Sequence, residues 1–204
     1  MSKICPLFSG STGNSTYIEG ATGAVLTDAG ASCKALTAAI QSAGGGIEKI
    51  AAVVITHEHI DHIKGLKPLL NAAKETIEKL GAAGKIPPPS NTAAIESETF
   101  EAGRVAISRF ATSHDAVAPC GYCFFMPDGR KISVCTDLGI MTDTVRSAIA
   151  GSDAVLLESN YDIDMLKKGP SPAELKMRIM SYCGHLSNNA CAAQRAGLLK
   201  SGTT

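Results

Sequence analysis

Apolar positions in the first third of the chain come in short runs separated by glycine, serine, asparagine and threonine. Ile4 to Phe8, Ser15 to Glu19 and Ala24 to Asp28 read as strands joined by tight turns. The spacing then changes. Leu36 and Ile40 lie one helical turn apart behind Ser32, a capping residue, and predict a helix to about Ala43 that stops at Gly44-Gly45-Gly46. Ile50 to Ile55 is a continuous apolar run and reads as a buried strand. Helical patterning resumes from about Ile63 towards Lys74 and over Thr76 to Leu80, until Pro87-Pro88-Pro89 breaks all regular structure.

Strands are predicted at Thr92 to Ile95, Val105 to Phe110, Gly121 to Phe125, Lys131 to Cys135 and Ala154 to Glu158, with a helix over about Met141 to Ile149. Ser171-Pro172-Ala173-Glu174 reads as a capping box with proline at the first helical position, opening a helix to about Tyr182. Ser187 caps a last helix through Ala196 or beyond. Strands followed by helices, twice over, predict two sheets packed face to face with helices outside.

Composition narrows the function classes. At 204 residues the chain suits a single domain over 1–204. Formal net charge is zero, so no global basic field draws it to nucleic acid or membrane, and a polyanionic substrate needs local charge or metal ions. The apolar runs are too short to span a bilayer, and the N-terminus lacks the apolar core of a signal peptide, which places the protein in the cytoplasm. Seven cysteines without framework spacing fit small buried residues, and the pair Cys120 and Cys123 reads the same way, since one pair cannot complete a cysteine-rich zinc site.

The chemistry concentrates in Thr56-His57-Glu58-His59-Ile60-Asp61-His62, directly after the apolar run that ends at Ile55. Residues at i and i+2 on an extended segment point the same way, so His57 and His59 can face one ion. Asp61 and His62 swing to a neighbouring position as the chain turns into a helix, where they can serve a second ion. Imidazole with carboxylate suits zinc(II), with manganese(II) or iron(II) as competitors. Two further strand ends offer ligands: His114 to complete three imidazoles on the first ion, and Asp137 to bridge both. The serine-glycine segment Ser9 to Ser15 lacks the ending of a phosphate loop and joins two strands, which argues against nucleotide-triphosphate binding.

The run His57 to His62, followed by His114 and Asp137, resembles the ligand set of the metallo-β-lactamase fold in order and approximate spacing, over nearly the whole chain. Leu26-Thr27-Asp28-Ala29-Gly30 is similar to that superfamily's strand-end aspartate, which supports the metal loop from behind. Ser9 to Ser15 and Gly184-His185-Leu186-Ser187-Asn188 are similar to the WalJ/YycJ branch, bacterial cytoplasmic proteins regarded as DNA exonucleases. The resemblance implies an α/β fold, a four-layer αββα sandwich with a dinuclear site at one edge. It implies hydrolysis by a hydroxide at that site, with DNA phosphodiesters as substrate. Asp61 then orients or deprotonates the attacking water, and His185 is the candidate acid or phosphate contact. Asn160 follows a strand and lines the site.

The resemblance also leaves a gap. The fold normally supplies a last histidine near the C-terminus, in a strand after the final helix, and no histidine follows His185 before Thr204. Lys74 runs directly into Glu75, where the family has a short strand. The expectation is a C-terminally incomplete domain, lacking a strand and helix portion, that holds its second ion weakly. A thioester or lactone hydrolase of the same fold, or a catalytically impaired binding domain, is the alternative.

Overall fold

A computed structural model describes residues 2–69 and 99–200, with the side chains of 195–200 left aside. The chain divides into two compact units, Met1–Val105 and Ala106–Thr204. In the first, β1 (Lys3–Phe8), β2 (Ser15–Gly20) and β3 (Gly23–Thr27) form an antiparallel meander. Helix α1 (Cys33–Ser42) and a 3₁₀ turn at Ile47–Lys49 then lead to β4 (Ile50–Val54), which lies parallel to β3. A parallel neighbour demands such a crossover, because a tight turn cannot reverse the chain twice.

Ser32 caps α1 as its sequence predicts, its hydroxyl accepting from the Ala35 amide. Leu36 and Ile40 are fully buried beside Tyr17, Leu26 and Leu69, each worth about 1.5–3 kcal/mol of transfer free energy. The run at 50–55 was expected to be a buried strand, yet β4 is only half-buried. It ends the sheet among the described residues, in the order β1-β2-β3-β4, so one flank lacks a strand neighbour.

The second sheet runs β5 (Thr99–Ala102), β6 (Val105–Ala111), β7 (Cys120–Phe125), β8 (Lys131–Cys135) and β9 (Ala154–Leu157), in that order. Strands β6, β7 and β8 are antiparallel, and β9 lies parallel to β8 after a crossover through α2 (Asp143–Ile149). Val145 and Ile149 of that helix are fully buried against Phe110, Cys123, Cys135 and Leu138. Cys123 Sγ lies 3.2 Å from Ser133 Oγ and 3.3 Å from the Ala148 carbonyl oxygen, and all seven cysteines are free, as the structural reading of Cys120 and Cys123 expects.

Three local expectations change. The capping box at Ser171 does not form: Pro172 takes the cap position with no side-chain bond, and the helix spans only Ala173–Ile179. It stops before Tyr182 because the chain folds back, with the His185 amide donating to Ile179 O at 2.9 Å. A short helix at Ile163–Lys168, capped by the Asp162 carboxylate, went unpredicted because six residues carry too little periodicity. The helix expected from Ile63 begins earlier, as a turn over Ile60–Ile63. The last helix, Asn188–Lys200, is capped by Ser187 as predicted. The expected elements at Thr76 to Leu80 and Thr92 to Ile95, and the Lys74-Glu75 junction, lie outside the described residues.

Candidate metal centre

The pairing of β3 with β4 ends at Thr27 and Val54, so the two chains leave the sheet side by side. Asp28 follows with φ of 60°, a left-handed conformation that aspartate tolerates better than most residues, and its amide donates to Val54 O. Its carboxylate is buried and takes three donors: the Thr56 amide at 2.8 Å, the Thr56 hydroxyl at 2.9 Å and His62 Nδ1 at 2.8 Å. Burial pushes the Asp28 carboxyl up from its ordinary value, and the bonds from His62 and Thr56 oppose that rise.

This network assigns the imidazole protons. The single Thr56 hydroxyl proton goes to Asp28, so at its 3.0 Å contact with His57 Nδ1 the hydroxyl is the acceptor and the ring nitrogen donates. His62 Nδ1 likewise carries a proton, given to Asp28. Both rings therefore keep their lone pairs on Nε2, the arrangement a carboxylate or hydroxyl behind a metal-binding histidine produces.

His57 Nε2 lies 3.0 Å from His59 Nδ1, a pair that either a proton on His59 or a shared cation satisfies. Two nitrogens on a tetrahedral zinc with bonds of about 2.0–2.1 Å sit about 3.3 Å apart, so the spacing fits a common ion. The ring centroids of His57 and His62 are 4.0 Å apart. Asp61 lies beside them, with Oδ2 at 3.7 Å from His62 Nε2. Gly30 makes this packing possible. A Cβ there would sit 1.6 Å from the Asp61 carbonyl oxygen and 2.5 Å from the Asn14 nitrogen, so only glycine lets the three segments meet.

The second unit has a corner of the same design. The β8–β9 pairing ends at Cys135 and Leu157, the Glu158 amide donates to Cys135 O at 3.0 Å, and Asp137 adopts φ of 53°. Glu158 is buried, and its Oε2 accepts from the amides of Leu138 at 2.8 Å and Leu186 at 3.1 Å. Its Oε1 accepts from His185 Nδ1 at 2.6 Å and Asn160 Nδ2 at 3.2 Å. Burial disfavours the His185 imidazolium, but Glu158, Asp137 and Asp115 outweigh it and raise its pKa above the ordinary value.

His114 donates from Nδ1 to the Gly184 carbonyl at 3.0 Å, and its Nε2 lies 3.3 Å from Asp115 Oδ1. Its ring centroid is 5.1 Å from that of His185. His114, Asp137 and His185 each offer a donor atom within 4.8 Å of the others. The donor set, imidazole and carboxylate with no thiolate, fits a zinc, manganese or iron ion.

The site residues expected from the sequence thus fall into two constellations: His57, His59, Asp61 and His62 in the first unit, and His114, Asp137 and His185 in the second. Asp28 supports the first as expected, and Asn160 reaches Glu158. Three participants were not singled out: Thr56, Asn14 and Glu158. For Glu158 a signal existed, since it follows a strand just as Asp28 and Asp137 follow theirs. Lys176 is bound to the carbonyls of Lys167 and Gly169, and Arg178 to Asp115.

Comparison with known proteins bears directly on this geometry. Residues 24–197 match the family described as "Beta-lactamase superfamily domain". The chain is 35% identical over 201 residues to exodeoxyribonuclease YycJ of Bacillus anthracis, covering 95% of this chain and 76% of that protein. The chain belongs to the β-lactamase superfamily, in its YycJ/WalJ branch. Exodeoxyribonuclease WalJ of Streptococcus pneumoniae is 36% identical over 196 residues, covering 91% of this chain and 72% of that one. Human tRNase Z, short form, superposes with a TM-score of 0.65 at 16% identity, covering 98% of this chain and 89% of that chain, which shows the shared fold. This member of the superfamily is accordingly a hydrolase of the metallo-β-lactamase fold, with histidine and aspartate groups able to hold divalent metal.

Proposed function

We propose that the chain is a metal-dependent phosphodiesterase that degrades DNA as an exonuclease in the cytoplasm, with residues 1–204 acting as one catalytic domain. Two divalent ions, zinc in the first instance, are held by His57, His59, Asp61, His62, His114 and Asp137. The observation that carries the reading is the proton arrangement behind the histidine run, which leaves His57 and His62 with Nε2 lone pairs at the same strand end. Two relatives at 35% and 36% identity named exodeoxyribonuclease support DNA as substrate. When bound, such ions supply Lewis acidity towards a phosphodiester and favour ionisation of water near neutral pH.

The chain's own residues then divide the work. Asp61 orients the attacking water and accepts its proton. His185 supplies a proton to the leaving oxygen, held in place by Glu158 at 2.6 Å, with Nδ1 committed to that carboxylate and Nε2 left to act. Asp28 fixes the tautomer of His62.

Incubation of metal-loaded protein with end-labelled single- and double-stranded DNA, RNA, a thioester and a lactone tests this reading. The expected result is nucleotide release from DNA, lost on chelation and lost in Asp61→Ala. Turnover of a thioester or lactone without DNA cleavage would replace the substrate class, and full turnover in Asp61→Ala would overturn the mechanism.

A further inference from the structure

The serine-glycine loop between β1 and β2 has no part in the mechanism so far, yet one of its residues reaches the proposed ligands. Asn14 uses every polar atom it has. Its backbone amide donates to Asp61 O at 2.7 Å, and its carbonyl accepts from the Gly30 amide at 2.9 Å. Its side-chain Oδ1 accepts from the Gly10 amide at 3.0 Å, which fixes which end of the carboxamide is nitrogen. Nδ2 then donates to Gly10 O at 3.1 Å and to Asp61 Oδ2 at 3.0 Å, and lies 3.0 Å from His62 Nε2.

We infer that Asn14 is the positioning residue for the second ion: its carboxamide sets the orientation of Asp61 Oδ2, which is proposed to hold that ion together with His62 Nε2. The inference rests on the two-ion reading above. A carboxylate on a short side chain rotates freely unless a donor pins one oxygen, and Asn14 Nδ2 is a donor whose own position is fixed twice over by Gly10. Neither Ser11 nor Thr12 of the same loop, both exposed, makes such a bond among the described residues. The loop therefore acts as a clamp on a proposed ion ligand.

Titration of the metal-free protein with cobalt(II), followed by visible absorption and by competition with a chelating indicator, tests the inference without an activity assay. Wild type takes up two equivalents in sequence. Asn14→Ala is expected to keep the first and to bind the second about 10–100-fold more weakly, the usual cost of losing a partner behind a metal ligand. Thr12→Ala is expected to match wild type. Asn14→Asp retains an acceptor for the Gly10 amide but loses the donor to Asp61, so it should change the spectrum of the second equivalent and spare that of the first.

Wild-type titration of the second equivalent by Asn14→Ala, or an unchanged second spectrum in Asn14→Asp, would overturn the inference. So would equal weakening of both equivalents together with a lowered melting temperature, which would reduce Asn14 to a staple of the loop. A wild type that takes up one cobalt only removes the two-ion reading, and the inference with it. Two sequential equivalents in wild type, with the second lost in the variants, support the inference even where DNA is not cleaved, so the two claims fail separately.

Discussion

The two units carry the same corner in two versions. Each has an antiparallel run of strands, a helical crossover to a parallel strand, an aspartate at φ near 60° after the first strand of the pair, and a buried carboxylate that takes at least one backbone amide. In the first unit the carboxylate is that aspartate itself, Asp28, and its imidazole partner His62 is 1% exposed. In the second the roles are split: Asp137 adopts the left-handed turn, while Glu158, just after the neighbouring strand, holds His185, which is 24% exposed. The first corner draws its histidines from one loop, and the second from segments far apart in sequence. A buried pair such as Asp28 and His62 can fix a tautomer, whereas a histidine that reaches water, as His185 does, can exchange its proton.

If that contrast holds, the first corner should be the costlier to disturb. The largest effect is expected from Gly30→Ala, whose new Cβ meets backbone atoms that cannot move independently; a loss of about 3 kcal/mol or more is expected in urea unfolding. Stability within error of wild type would show that the three segments are less tightly joined than their distances indicate. Next comes Asp28→Asn, which leaves a buried donor without its acceptor. About 2–3 kcal/mol and a 10–100-fold loss of metal affinity are expected from denaturation and ion competition.

Glu158→Gln sharpens the comparison, because the bond lost by His185 can be replaced by water. A smaller cost of about 1–2 kcal/mol is expected, with turnover reduced and ion stoichiometry retained. Ion loss in this variant equal to that in Asp28→Asn would erase the distinction between the corners.

The smallest effect belongs to a contact at the other end of β2 from the first corner. Burial works against the Glu19 carboxylate, but bonds from Lys3 and Lys49 outweigh it and hold its pKa below the usual range. Its folded value lies below the unfolded one, so its contribution is complete above the unfolded pKa and is lost as pH falls through the folded value. Glu19→Gln should cost under about 1 kcal/mol, less in high salt, with a flatter acid limb in the stability profile.

How far the sequence could be read follows the same contrast. His57, His59, Asp61 and His62 were legible because a single strand end presents them, so local geometry alone brings them together. Asp28 was legible from its place at the end of an apolar strand. Glu158 obeys the same rule but has no histidine nearby in sequence; its partner, His185, lies 27 residues away and is delivered by a turn that folds back onto Ile179. Asn14 was visible only as part of a motif, because its role depends on which loop Gly30 allows to approach. Ser171 misled because a capping pattern was present one residue before the actual cap position, which proline took instead.

The central claim is that the histidine run of the first corner, with its tautomers set by Asp28 and Thr56, is a metal centre. Anomalous diffraction from crystals grown at saturating zinc tests it most directly. The account predicts peaks within bonding distance of His57 and His59 and of Asp61 and His62. No peak beside these residues would contradict it.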